Sequence, residues 1–320
     1  MKTLSLIISV FSVLFFMACS NNTDSTNSST AEEEKAISQV LEADDMVYEE
    51  IGDATEDDYG VEDPSWLPGS LAKEGFRMRF GRKIEERKRN IEVVLTSDTT
   101  ATAYISNTYK GQFVSLTGAW VDDTTFTLQR FSKPLEHQVE RVVNLVKFRD
   151  DANLERRNWK RTSVSMADGK SVPNTIKIME LVITPENQDS IIITNPIDHF
   201  VDGVNILTLP RFTDVTVRVK IENNSSSLVE YPEGSGSTEN VRLQYGRNRK
   251  GHHAKANFEY VGKDIDGYQV YEGHWQVRQF SGIHHAVIDV IDNGTILNEN
   301  SADYPYNSAT WGTPYLVTPF

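Results

Sequence analysis

The sequence contains one cysteine in 320 residues, and this scarcity excludes several chemistries at the outset. A single thiol cannot form a disulfide within the chain. The sequence has no glycine-rich phosphate-binding loop and no Gly-x-Ser-x-Gly nucleophile elbow. Beyond residue 17 no stretch is apolar enough to span a membrane, which takes about 20 residues. The signatures of disulfide scaffolds, nucleotide-binding enzymes and serine hydrolases are therefore missing.

The one long apolar run lies at the start of the chain. After a basic start, residues 4–17 are apolar apart from three serines, and about 14 residues suit the core of a signal peptide better than a spanning helix. Ala18 and Cys19 come next, and residues 20–30 are rich in Ser, Asn and Thr. A small residue before a cysteine, after an apolar core, resembles the lipobox of bacterial lipoproteins.

This resemblance implies cleavage before Cys19, a diacylglycerol on its thiol and acylation of the new amino terminus. Residues 1–18 are then the signal peptide, and residues 19–30 are the lipidated cysteine and a flexible polar tether. Ser20 stands where Asp often marks inner-membrane retention, which favours the outer membrane, on its periplasmic face or at the cell surface. With Cys19 acylated, the mature protein has neither a cysteine nucleophile nor a thiolate metal ligand.

The net charge of −14 is concentrated in one segment. Residues 32–63 contain fourteen acidic residues and a single basic one, Lys35, and carry −13. Apolar residues at helical spacing predict an acidic helix over residues 31–50. Residues 53–64 are predicted to be an acidic loop that completes this region of residues 31–64. They do not match an EF-hand, because the sixth and twelfth positions lack the required Gly and Glu.

A basic run follows over residues 77–89, with seven Arg and Lys residues and two Glu. We interpret it as an amphipathic helix whose basic face lies against the acidic segment. The alternative is a surface for anionic lipid headgroups. Nucleic acid is not an expected partner, since the chain as a whole is acidic and carries an export signal.

Strand patterns dominate the remainder of the first half. Residues 135–148 fit a helix or a strand, and their valine content favours a strand. A helical segment followed by long antiparallel strands predicts an α+β domain over residues 31–165, with a cystatin-like cone as one candidate. The other predicted strands cover residues 91–96, 102–105, 113–116, 125–128 and 159–166.

From about residue 172 short strands alternate with turns, and no helical stretch is predicted. Their number and spacing predict an antiparallel β-sandwich over residues 172–320. The polar stretch of residues 166–171 predicts the break between the two domains. The predicted strands cover residues 175–184, 190–194, 214–222, 240–245, 253–260, 268–278, 284–292 and 315–318.

Three of these strands resemble those of immunoglobulin-like or polycystic-kidney-disease-type domains. Gly282–Asp292 reads Gly-Ile-His-His-Ala-Val-Ile-Asp-Val-Ile-Asp and resembles a late strand, in which Gly-x-Tyr precedes alternating apolar residues and Asp. His284 stands where Tyr is usual. Residues 216–221 resemble an early strand and residues 241–245 a middle one. The resemblance covers about 110 residues and implies an immunoglobulin-like fold, which by itself assigns no catalytic residue.

Five of the seven histidines lie between positions 252 and 285. Adjacent residues of a strand point to opposite faces, so at most His253, His274 and His285 could converge on a metal ion. We therefore expect no metal and no cofactor. We assign His284 a structural role, with its ring packed in the core and an N–H bonded to a backbone carbonyl. The late aromatics Tyr304, Tyr306, Trp311 and Tyr315 are expected to pack around the last strand.

Two classes of function remain. The first is a membrane-anchored envelope lipoprotein that acts as a non-catalytic binding or structural module, with the lipid bilayer and envelope proteins or glycans as partners. The alternative is an envelope hydrolase acting on glycan or peptide, with a pocket in the α+β domain. The lack of a catalytic signature favours the first. A deep cleft lined by converging carboxylates or histidines would favour the hydrolase, and a flat apolar or aromatic patch on the sandwich would favour the binding module.

Overall fold

The computed structural model describes residues 24–47, 79–120, 126–148, 159–248 and 254–319. The predicted signal peptide, Cys19, the acidic loop of residues 53–64 and His253 lie outside these residues. Within them the helices are α1 (Asp24–Ala43) and α2 (Asn293–Leu297), so the expected mostly-β composition is confirmed. The strands are β1 (Arg79–Ser97), β2 (Thr100–Trp120), β3 (Phe126–Lys147), β4 (Trp159–Ser165), β5 (Ala167–Ser171), β6 (Ile176–Pro185), β7 (Ile191–Ile193), β8 (Phe200–Val201), β9 (Thr208–Pro210), β10 (Asp214–Asn223), β11 (Glu239–Arg247), β12 (Ala254–Asn257), β13 (Glu259–Lys263), β14 (Gln269–Gln276), β15 (Gly282–Asp292) and β16 (Ser308–Thr318).

Eleven of these strands form one large sheet, which we call sheet A. Its main order is β1-β2-β3-β5-β16-β15-β11-β12, with β4 paired to β3 and β8, and β9 paired to β16. All pairs are antiparallel except β9–β16. The first three strands are 19, 21 and 22 residues long and pair along almost their whole length. The segment of residues 135–148, for which the sequence leaves helix or strand open, lies mostly within β3.

The basic run of residues 77–89 was predicted as a helix, and this is wrong for its described part, because β1 begins at Arg79. Phe80 and Arg82 are buried, and Lys83 and Lys88 are exposed. β1 lies at one end of the strand order, where charged side chains oppose unwanted pairing with another strand. The charges hide the period-two pattern, and packing against β2 decides the conformation.

The break predicted at residues 166–171 falls on a strand. β5 lies between β3 and β16 and pairs with both. Gly169 allows this close packing, since a Cβ there would lie 2.1 Å from Thr310 Oγ1 and 2.8 Å from His137 Nε2. The polar Asp168 accepts a hydrogen bond from Trp311 Nε1 at 3.0 Å. Sheet A therefore runs without interruption from the first predicted domain into the second.

A second sheet, sheet B, has the order β13-β14-β10-β6-β7. Its strand β10 alternates cleanly, with Val215, Val217, Val219 and Ile221 buried. These residues pack in one apolar core with the inward-facing residues of β15 and β16, among them Trp311. Two antiparallel sheets thus meet face to face, which is compatible with the predicted β-sandwich.

Helix α1 packs against the other face of sheet A. Ile37 and Leu41 are fully buried in a cluster with residues of β2, β3 and β4. The helix ends at Ala43, before the predicted residue 50, because Asp44 starts a turn: its carboxylate accepts a hydrogen bond from the Met46 N–H at 2.9 Å. Asp44 also pairs with Arg161 of β4 at 2.7 Å, which joins the end of the helix to the sheet.

Sheet A curls, so that β1, the first strand in its pairing order, contacts β15 and β11, the sixth and seventh strands. Arg82 of β1 contacts Asp289 of β15, and the guanidinium of Arg242 on β11 lies 3.7 Å from the ring centroid of Phe80 on β1. Strands that are far apart in the pairing order are thereby joined by side chains. The inner face of this curled sheet contains the buried ion pair of Arg82 and Asp289.

The second half contains two features that the sequence did not predict. A short helix, α2, follows β15, and Asp292 caps it by accepting hydrogen bonds from the N–H groups of Gly294 and Thr295. The single strand predicted over residues 253–260 is instead β12 and the start of β13, separated at Phe258. The expectation that no helix occurs after residue 172 was therefore wrong. No helix of the described residues is long and apolar enough to cross a membrane.

Candidate functional site

Three connecting segments meet at one end of the sandwich, and we call this region the loop end. They are residues 186–190 after β6, residues 211–213 before β10 and residues 277–281 after β14. Backbone hydrogen bonds hold them together. The Glu186 N–H donates to Asp214 O at 2.8 Å, and the Phe212 N–H donates to Val277 O at 2.6 Å. Connecting segments carried on a rigid sandwich are common binding sites.

A cleft of about 660 Å³ opens at the loop end. Its chemistry is mixed, with the carboxylates of Glu186 and Asp214, the imidazole of His274, and side-chain amides that both donate and accept hydrogen bonds. Asn187 has a φ of 60°, which bends the chain sharply at the rim. The cleft is lined by Thr184, Pro185, Glu186, Asn187, Gln188, Asp214, Val215, Thr216, His274, Trp275 and Gln276.

One contact in the cleft superficially resembles a catalytic set. Thr216 Oγ1 lies 3.0 Å from His274 Nδ1, and His274 Nε2 lies 3.4 Å from a Glu272 carboxylate oxygen. The side chains of His274 and Glu272 are 67% and 37% exposed, so water screens their interaction. Thr216 and His274 are simply opposite residues of β10 and β14. We interpret the group as neighbouring side chains on a sheet surface.

The loop end also carries a group that we call the aromatic clamp, made of the half-buried Arg211 and the exposed Phe212 and Phe280. The Arg211 guanidinium carbon lies 5.1 Å from the ring centroid of Phe212 and 5.7 Å from that of Phe280, within the range of cation–π attraction. Phe280 is 77% exposed and Phe212 is 44% exposed. Two exposed aromatic rings on separate segments, both beside one guanidinium, form a surface suited to binding.

The backbone of Phe212 is strained. Its φ of 70° lies in the left-handed region, where a bulky residue is a rare outlier that costs about 1–3 kcal/mol. The hydrogen bond from its N–H to Val277 O holds it there. The fold therefore maintains an unfavourable conformation that leaves the Phe212 ring partly exposed beside Arg211, as strained residues at binding sites often do.

His284 supports the segment that carries Phe280. It lies in β15 with its side chain among the core residues, at 5% exposure, and its ring centroid is 5.8 Å from that of Tyr315. Nε2 is 2.7 Å from the Phe280 carbonyl oxygen, and Nδ1 is 3.3 Å from that of Gly246. The ring thus links the core to the end of β11 and to the segment after β14 through backbone carbonyls.

We expect His284→Ala to lower the free energy of unfolding by about 1–3 kcal/mol, because it leaves a cavity and removes the donor to a buried carbonyl. His284→Tyr should be tolerated far better, since Tyr also combines an apolar ring with a polar tip. Thermal melts of both variants, with and without a chelator, test this structural role. A wild-type melting temperature that falls on chelation would contradict it.

The structure does not bring the histidine candidates together. His274 is exposed on β14 of sheet B, whereas His285 is buried on β15 of sheet A, with Nε2 2.7 Å from the Asp45 carbonyl oxygen. Burial, assisted by the charge of Arg141, lowers the pKa of His285 to about 3. Across the described ranges, no group of three or more His, Cys, Asp or Glu side chains is placed to hold a metal ion.

A network of buried polar contacts lies inside the curled sheet A, around Arg82 and Asp289. Two guanidinium–carboxylate hydrogen bonds of 2.6 Å join them, and each side chain is about 97–98% buried. Arg82 Nε also donates to Tyr306 Oη at 2.6 Å, and Gln244 Nε2 donates to Asp289 at 3.0 Å. Burial alone would oppose both charges, but the partner outweighs it and lowers the pKa of Asp289.

His137 extends this network. Its Nδ1 is 3.1 Å from Tyr306 Oη and its Nε2 is 3.1 Å from Thr310 Oγ1. Burial, and then the charge of Arg82, lower the pKa of His137 to about 3, so the ring is neutral at pH 7. These side chains are paired with one another and closed to solvent, where no substrate reaches them. The network joins strands and does not form an accessible reaction site.

Sequence reasoning missed the aromatic clamp. The available signal was Phe280 within Arg-Gln-Phe-Ser-Gly, a large apolar residue in a segment otherwise typical of a turn. Among the late aromatics, Tyr306, Trp311 and Tyr315 are buried, in agreement with their expected packing role. Comparison with protein-family models, curated proteins and solved structures finds no match for this chain, so its candidate site rests on this geometry.

Proposed function

We propose that the protein is a lipid-anchored binding module of the bacterial envelope, attached through Cys19, whose ligand is held at the loop end without catalysis. The observation that carries this proposal is the aromatic clamp at the same end of the sandwich as an open cleft of about 660 Å³. The clamp is the exposed aromatic patch expected of a binding module. The partners are the bilayer and, at the loop end, an envelope component.

The proposal includes an immunoglobulin-like fold for residues 172–320. The strand segments that resemble this fold belong to β10, β11 and β15, and residues of all three contribute to the core between the sheets. Such sandwiches commonly bind through the segments that connect strands at one end. The strained, exposed Phe212 lies in one of these segments.

The alternative of an envelope hydrolase receives less support. A hydrolase needs preorganised groups aimed at the reacting atoms in a largely water-excluded site. The buried groups around Asp289 are paired with each other, and the groups of the open cleft, such as His274, lie in solvent. The loop end therefore fits recognition better than bond cleavage.

Binding of the purified protein to insoluble envelope material, measured by co-sedimentation, tests the binding function. We expect Phe280→Ala to weaken binding by about tenfold or more, as for a central aromatic anchor. Tyr104→Ala is the matched control, since Tyr104 is a 49% exposed aromatic residue on β2, outside the loop end. Equal binding of both variants and of the wild type would remove the loop end as the binding site.

Lipid attachment makes an independent prediction. Metabolic labelling with a clickable fatty acid should tag the wild type and leave Cys19→Ala unlabelled, because acylation requires the thiol. The variant should also leave the membrane fraction, since anchoring depends on buried acyl chains, each methylene of which contributes about 0.8 kcal/mol. Equal labelling of both proteins would refute the lipoprotein assignment.

A further inference from the structure

Arg211 is half-buried and has unused hydrogen-bonding capacity at the loop end. The hydrogen bond that the structure gives it comes from its backbone N–H, to Thr318 O at 3.1 Å. Its Nε is buried, and no acceptor for it occurs within the described residues. Its guanidinium contacts the phenyl rings of the clamp. A guanidinium held between apolar rings presents its terminal N–H groups as a fork that matches a carboxylate.

The surroundings restrict what such an anion can be. The cleft at the same end of the sandwich contains the carboxylates of Glu186 and Asp214, and Asp214 follows Phe212 by two residues. These charges repel a densely anionic ligand such as nucleic acid or polyphosphate. They accept hydrogen bonds from hydroxyl groups, as do the side-chain oxygens of Asn187 and Gln276.

The exposed phenyl rings are the third feature that a ligand must match, after the guanidinium and the polar cleft. Phe212 and Phe280 offer apolar faces at the surface, which are suited to a flat ligand with an apolar side. A ligand that satisfies the whole loop end combines an isolated carboxylate, several hydroxyl groups and an apolar ring face. A sugar ring that carries a carboxylate has all three of these features.

We propose that the loop end binds an acidic saccharide, with Arg211 pairing to its carboxylate, Phe212 and Phe280 packing on its ring, and the polar cleft receiving its hydroxyl groups. This inference rests on the proposed binding function and names the ligand class of the same site. The carboxylate contact provides specificity, because a charge-assisted bidentate pair with Arg is geometrically selective.

Isothermal titration of the full processed protein in detergent with two matched probes tests the inference. The probes are a neutral oligosaccharide that carries a single uronic acid residue and the same oligosaccharide with that one carboxylate reduced to an alcohol. We expect the wild type to bind the acidic probe about tenfold or more tightly than the reduced one. Arg211→Ala should bind both equally weakly, and Arg211→Lys should keep part of the preference, because it keeps the charge and loses the fork.

Arg130→Ala serves as the control, since Arg130 is an exposed arginine on β3 of sheet A, and it should bind both probes as the wild type does. Equal affinity of the wild type for the two probes would overturn the acidic-saccharide inference and leave the binding function standing. A preference that survives in Arg211→Ala would overturn the role of Arg211. Failure to bind either saccharide, with Phe280-dependent capture of an envelope protein instead, would also overturn the inference.

Discussion

Replacement of Arg82 by methionine is expected to lower the free energy of unfolding by about 3–5 kcal/mol, because it leaves the Asp289 carboxylate buried without its cation. The same change removes the donors to Tyr306 Oη and to Ser308 Oγ, at 2.6 and 2.8 Å. The contact also joins β1 to β15, which are not neighbours in sheet A. Urea unfolding followed by circular dichroism measures the loss.

Two further variants distinguish the loss of the ion pair from a nonspecific loss of stability. Lys88→Met changes an exposed cation on the same strand and should cost less than about 0.5 kcal/mol. The double variant Arg82→Met, Asp289→Leu removes both buried charges and should be closer to the wild type than either single variant, because the desolvation penalty disappears with the attraction. A double variant that loses as much as the two single variants added together would contradict this account.

The protein is expected to lose stability steeply in mild acid because of His137 and His285. The pKa of each histidine is lowered to about 3 in the folded protein, chiefly by burial, from an ordinary value near 6.5. Between these values the unfolded chain binds protons that the folded protein does not, so the free energy of unfolding falls as the pH falls. Each histidine contributes about 1.4 kcal/mol per pH unit below about pH 6.5.

The slope of stability against pH, measured by urea unfolding between about pH 6 and pH 5, tests this assignment. His137→Gln and His285→Gln should each remove the share of one histidine, whatever their effect on stability at pH 7, and His199, whose pKa burial also lowers, contributes a further share. His274→Gln is the control, since it replaces a histidine whose side chain is exposed. If the double variant His137→Gln, His285→Gln keeps the full slope of the wild type, other groups cause the acid sensitivity.

The alternation of apolar and polar residues was reliable for predicting strands in the second half of the chain. It was not reliable for predicting β1. In β10 and β15 the apolar residues alternate or run continuously, so burial is visible in the sequence, and these strands occur close to the predicted positions. In β1 charged residues occupy most exposed positions, and the buried Arg82 looks like one more surface cation. Its burial depends on Asp289, which lies 207 residues away in the chain.

The loop end could not be derived from the sequence for a similar reason. Arg211 and Phe280 are separated by 69 positions, and either one alone is an ordinary residue of a turn. Their proximity depends on the pairing of β10 with β14, which places the start of one strand beside the end of the other. The aromatic clamp is therefore a consequence of sheet topology.

The sequence by itself determined the mostly-β composition, because alternating apolar and β-branched residues favour strands locally. It also carried the lipobox-like start and the buried stripe that includes His284, since both are patterns of neighbouring residues. The tertiary structure alone decided that β5 joins the two halves into one sheet, that Arg82 meets Asp289 inside it, and that Arg211 lies beside two exposed phenyl rings. Each of these depends on contacts between residues far apart in the chain, which local propensity does not encode.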